Sequence, residues 1–108
     1  MESILESIKK LLGVSAEDDS FDAEIIMHIN TAISILTQLG VGPIEGFQIH
    51  GPIETWENFI GVRKDMDLIK GYIFNRVRLI FDTPANSFLV RAIEEQIKEF
   101  EWRLEAKG

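Results

Sequence analysis

Apolar positions recur along most of this chain at the three- and four-residue spacing of one helical face. Ile4, Leu5, Ile8, Leu11 and Leu12 make the first such stripe and predict a short helix over about 3–12. Ser3 supplies an N-cap oxygen, Lys9 and Lys10 suit the negative end of the helix dipole, and Gly13 can take the left-handed conformation that stops a helix. Residues 15–20 are polar and rich in capping side chains. A longer stripe follows, with Phe21, Ile25, Ile29, Ala32, Ile33, Leu36 and Leu39 sharing one face at about 100° per residue. It predicts a helix over 21–39, with Ser20 ahead of it, Asp22 and Glu24 in its first turn, and Gly40 closing it.

Helical spacing stops over 40–54. That stretch holds four glycines and two prolines, yet also Val41, Ile44, Phe47, Ile49 and Ile53. Phe47, Gln48 and Ile49 alternate as in a short strand. An irregular segment of this length is uncommon in a small domain and often carries function. Its apolar residues either fold back onto the chain's own core or form an arm that lies on a neighbouring subunit. The expectation taken is the arm, so that deleting residues 47–50 leaves helicity nearly intact and impairs assembly.

Beyond the loop, Trp56 and Phe59 stand three apart in a short helical turn over 55–60, ended by Gly61. Residues 64–81 predict a helix apolar over most of its circumference, which should therefore be central and packed on several sides. Gly71 permits a close approach there. Pro84 breaks the chain and suits a first helical position. The last helix, over about 85–105, carries the stripe Leu89, Ala92, Ile93, Ile97, Phe100 and Leu104, with Glu94–Lys98 and Glu99–Arg103 in the favourable i, i+4 order. The pattern predicts an all-α single domain: about four helices, a short helical turn and a long apolar loop with glycine and proline.

Composition narrows the function. The 108 residues match one domain, and 45% of them are hydrophobic, enough for one ordinary core. No cysteine is present, which removes disulfides, thiolate metal sites and a cysteine nucleophile, and fits a reducing compartment. Acids and lysines interrupt residues 1–12, so they do not read as a secretory signal, and no apolar run approaches the roughly 20 residues that span a bilayer.

The net charge of −7 is unevenly spread: residues 1–62 hold two basic and ten acidic groups, residues 63–108 nine and eight. Five basic residues (Arg63, Lys64, Lys70, Arg76 and Arg78) crowd into 63–78. In a head-to-tail ring the acidic part of one subunit can meet the basic part of the next; the other possibility is that the halves neutralise each other inside one subunit.

Catalytic patterns are missing. His28 and His50 are 22 residues apart with no HExxH and no cysteine, which reads as solvent-edge histidines rather than a zinc site. Glu17, Asp18, Asp19 and Asp22 offer oxygen ligands but lack the glycine and terminal glutamate of a calcium-binding loop. Neither phosphate-binding glycine loops nor a nucleophile elbow occur. Glu94 and Glu95, like Glu99 and Glu101, read as a solvated helix face. No enzymatic activity, cofactor or metal is expected.

Two residues break their local pattern. Arg76 projects among Ile69, Tyr72 and Leu79, where a guanidinium should meet a carboxylate or reach an interface, the alternative being that it snorkels to solvent. Trp102 lies off its stripe, among Arg91, Glu95 and Glu99 on the side that carries Phe88, which points to a partner or to packing on the N-terminal helix.

Three stretches, IKKLLGVSAEDDSFDAEIIMHINTAISILTQLGVG, ETWENFIG and DLIKGYIFNRVRLIFDTPANSFLVRAIEEQIKEFEWRL, resemble the head–tail connector (adaptor) proteins of tailed double-stranded DNA phages and their prophages. The resemblance spans nearly the whole chain. Its most specific pieces are QLG, RLIFD…P…NSF and the ending EEQIKEFEWRL. It implies an all-helical subunit that forms a ring under the portal, extends the DNA channel and docks the next connector or tail-completion protein. The implied partners are other copies of the chain, the portal and that next protein, with DNA passing through unbound and no membrane. The implied place is the virion's head–tail junction, after a stage in the host cytoplasm. Members have also been labelled DNA-packaging proteins, so a packaging accessory contacting DNA or terminase through residues 63–78 is the other reading. Interface candidates are Phe47, Ile49, Trp56, Phe59, Arg76, Phe88 and Trp102.

Overall fold

The computed structural model describes residues 2–107, which form five helices: α1 (Ile4–Leu12), α2 (Asp22–Gln38), α3 (Trp56–Ile60), α4 (Met66–Phe81) and α5 (Ser87–Lys107). The fold is all-α. Among the described residues the sole extended pairing is an antiparallel bridge between Ser3 and Thr55. The shape is a slab of 34 × 33 × 20 Å, about two helix diameters thick.

Local chemistry sets most helix ends. Ser3 Oγ accepts the Glu6 amide at 3.2 Å, and Gly13 leaves α1 with φ 81° while Val14 N–H returns to the Lys9 carbonyl. Thr55 and Asn58 make a reciprocal capping box on α3. Asn86 Oδ1 accepts the Phe88 and Leu89 amides at the start of α5. Ser20 does not cap α2. Its amide donates to Asp18 instead, and α2 begins one residue later behind Phe21 without a side-chain cap. In α5, Glu99 pairs with Arg103 at 2.7 Å as its spacing predicts, but Lys98 turns to Glu95 rather than Glu94.

Helix α4 is the centre. It packs against α2 and α1 on one side and against α5 on the other, as its all-round apolar pattern requires. Ile69, Tyr72, Ile73 and Val77 are fully buried. Gly71 lies under the Phe100 ring, where a Cβ would sit 3.4 Å from it. The stripe of α2 is buried from Ile25 to Leu36, but Phe21 remains 44% exposed, its ring edge-on to Phe81 at 5.4 Å.

The N-terminus is strapped to α3. Ile4 N–H donates to Glu54 O and Trp56 N–H to Glu2 O. Trp56 Nε1 donates to Ser7 Oγ at 3.0 Å, and Lys70 Nζ reaches both Glu2 at 2.8 Å and the Trp56 ring. Lys70 holds the Glu2 carboxyl below the usual carboxylate range.

Candidate interaction surface

The interface candidates separate by depth. Ile49, Trp56 and Phe59 are at most 2% exposed, and Phe47 is half-buried with its ring stacked 5.2 Å from Phe59. These four pack within the subunit rather than forming the arm expected of residues 40–54. The cause is Asn30 on α2. Its Nδ2 donates to Ile49 O at 2.9 Å and its Oδ1 accepts the Ile49 amide at 2.8 Å. That pair satisfies the loop backbone and lets Ile49 enter the core. Deletion of residues 47–50 therefore removes core, contrary to the expectation of intact helicity.

Other side chains of the same loop stay outside. Ile44 is 99% exposed and Ile53 is 85% exposed. Ile44 and Glu45 are the two central residues of a tight turn closed by Gly46 N–H on Pro43 O at 3.0 Å. The sequence signal was there in the proline and glycine that bracket this turn, which project the residues between them outward.

Phe88 and Trp102 are 84% and 69% exposed on the outer face of α5. Trp102 does not pack on α1. It borders an open groove between α4 and α5 whose lining includes Asn75, Arg78, Leu89 and Gln96. Asn75, buried on α4, closes the groove floor by donating to Gln96 Oε1 at 2.7 Å.

Arg76 finds its carboxylate inside the chain. Its Nη1 lies 3.4 Å from Glu101 Oε2, which also accepts the Tyr72 hydroxyl at 2.7 Å. Burial first, then the Glu101 carboxylate, push the Tyr72 phenol above its ordinary range. The guanidinium is half-exposed and lies over the Tyr72 ring.

Of the five cations in 63–78, Arg63 pairs with Asp65, Lys70 with Glu2 and Arg76 with Glu101. Among the described residues Lys64 and Arg78 make no ion pair, and only the Lys70 pair joins the basic stretch to the acidic first half. The uneven charge is thus largely retained rather than cancelled within the subunit.

No group of three or more acidic or histidine side chains among the described residues could hold a metal ion. His28 sits 3.6 Å from Glu24 on α2, and His50 is exposed on the loop. No described helix is long and apolar enough to cross a membrane.

The slab leaves two aromatic side chains, Phe88 and Trp102, exposed on its outer helix, the kind of surface on which proteins contact other macromolecules. The family model described as phage connector protein matches residues 4–108, and the chain belongs to that family. Such connector proteins are structural and generally non-enzymatic. No curated protein and no solved structure matches the chain.

Proposed function

We propose that this chain is a head–tail connector subunit that forms a ring beneath the portal, extends the DNA channel and docks the next tail-completion protein. The observation that carries this reading is the family match over residues 4–108. The geometry supports it. A ring needs two different, complementary patches on each subunit. Phe88 and Trp102 lie on α5, on one side of α4, whereas Ile44 and Ile53 lie on the loop that packs against α2 and α3. A net charge of −7 suits a channel that passes DNA without gripping it, because retention of phosphate requires clustered cations. The working place is the head–tail junction of the virion, reached from the host cytoplasm.

Purified protein mixed with portal rings should form a closed oligomer on them, seen by native mass spectrometry or electron microscopy. A chain that stays monomeric at high concentration and also ignores the portal overturns the reading. A packaging accessory that grips DNA gains little from the structure, because ion pairs occupy Arg63, Lys70 and Arg76. Absence of a gel shift at low salt removes it.

A further inference from the structure

We infer that, in the free protein, the outer face of α5 pairs antiparallel with the same face of a second copy, about a two-fold axis at Glu95. This concerns the chain before assembly and goes beyond the connector role proposed above.

The helical repeat sets the face. Ile93, Ile97 and Leu104 are buried on the side of α5 that packs on α4. At about 100° per residue, Phe88, Glu95 and Trp102 fall on the opposite side, seven residues apart. Arg91, Lys98 and Glu99 flank them, and all six are exposed. Phe88 and Trp102 therefore stand at the two ends of one face, about 21 Å apart along the axis. Such a face has no single seat for one side chain. It has two separate aromatic anchors, which a second helix running the other way meets together.

The face is complementary to itself. Antiparallel pairing about Glu95 sets position 88 of each copy against 102 of the other, and 91 against 99. Phe88 then lies against Trp102 of the second copy, twice over. Arg91 makes no ion pair among the described residues, and pairing gives it Glu99 of the second copy, an acid already fixed 2.7 Å from Arg103. At the axis each Glu95 lies 3.9 Å from its own Lys98, and pairing brings the other copy's Lys98 within one turn of it, so acids and lysines alternate. Ala92, exposed opposite Lys98 of the second copy, leaves room for the lysine stem.

Charge selects a second copy over other partners. The chain carries −7, so two copies repel over most of their surfaces. This face holds two cations, Arg91 and Lys98, and two acids, Glu95 and Glu99, and is neutral. A strongly basic or acidic partner gains nothing from it, whereas a second copy gains both aromatic contacts and both Arg–Glu contacts. One helix on one helix is a small contact of the transient class, below about 1,200 Å². A two-fold pair uses up the face, so Trp102 is released before it meets any other partner.

The absence of cysteine makes the test clean. Glu95→Cys, treated with a short thiol crosslinker, should give a covalent dimer with itself, because the axis passes beside that position. Thr31→Cys, exposed on α2, should give none. A mixture of Arg91→Cys and Glu99→Cys should crosslink, and each alone should not. No product from Glu95→Cys, or an equal product from Thr31→Cys, overturns the pairing.

Sedimentation equilibrium of the full chain is an independent arm. The wild type should show a monomer–dimer equilibrium. Phe88→Ala and Trp102→Ala should each raise its dissociation constant by about tenfold or more. Arg91→Glu and Glu99→Arg should each weaken it similarly, and the double exchange should restore it. A dimer that none of these changes moves lies elsewhere on the surface and sinks the idea, as does a chain that stays monomeric up to about 1 mM. The portal takes no part in either arm, so failure here leaves the connector role standing, and failure of that role leaves the pair standing.

Discussion

Lys9 shows how far a single residue can depart from its pattern. It lies in the last turn of α1, where a cation suits the dipole, yet it is only 2% exposed. Its ammonium donates to the carbonyls of Ala16 and Asp18 and pairs with Asp22 at 2.8 Å, pinning the 15–20 linker to the start of α2. Lys9→Met keeps the aliphatic stem and strands those acceptors. We expect a loss of about 2–3 kcal/mol in urea unfolding, below the full cost of a buried broken pair because Asp22 is 28% exposed. A loss under about 1 kcal/mol would show that water replaces the ammonium freely. Tyr72 gives a prediction in pH. Its phenol is raised in the folded state, so its contribution is full below the ordinary tyrosine pKa of about 10 and is lost as pH climbs past it. Wild-type stability should fall as pH rises above about 10, and Tyr72→Phe should flatten that fall. An equal fall in the variant would assign the alkaline effect elsewhere.

At the scale of elements, the loop 40–54 is where sequence and structure part. Its glycines, prolines and apolar residues are plain in the sequence, and so is its lack of helix. Which of those residues turn inward is decided by Asn30, 19 positions away from Ile49, through two hydrogen bonds that no local pattern announces. Asn30→Ala leaves the Ile49 amide and carbonyl short of partners and should cost about 1–3 kcal/mol, seen as a lower denaturant midpoint. Deleting residues 47–50 should cost far more and reduce helicity by circular dichroism. Full retention of helicity in the deletion would return the loop to the role of an arm. Helix α5 is the opposite case. Its stripe reads directly from the sequence, and so does the misfit of Trp102. The exposed end of the stripe does not, because Leu89 lies near the rim where α5 leaves α4.

At the scale of the whole molecule, the subunit's stability and its proposed assembly draw on different surfaces. The core closes around α4 without Phe88 or Trp102, which are 84% and 69% exposed. Replacing Trp102 by Ala should therefore change the melting temperature little, within about 0.5 kcal/mol, while ring formation on the portal fails. A comparable drop in stability would instead place Trp102 among the subunit's own packing residues. Acid should act weakly. Glu2 is held low by Lys70, so the strap between the N-terminus and α4 contributes fully above the ordinary carboxylate range and is lost only as pH falls below that range, through the lowered folded value.

Sequence alone determined that this chain is all-helical and that α4 is its apolar centre. Those properties follow from periodicity and residue type, which act over a few neighbouring positions. The family pattern was legible for the same reason, since it is spread along most of the chain. Tertiary structure decided which apolar residues are left over. Ile49 and Phe47 go in, Ile44 and Ile53 stay out, and Arg76 is matched by Glu101, whereas Arg78 makes no ion pair among the described residues. Such choices depend on groups brought together from distant parts of the chain, and burial is a property of that assembled geometry rather than of any residue's own hydrophobicity.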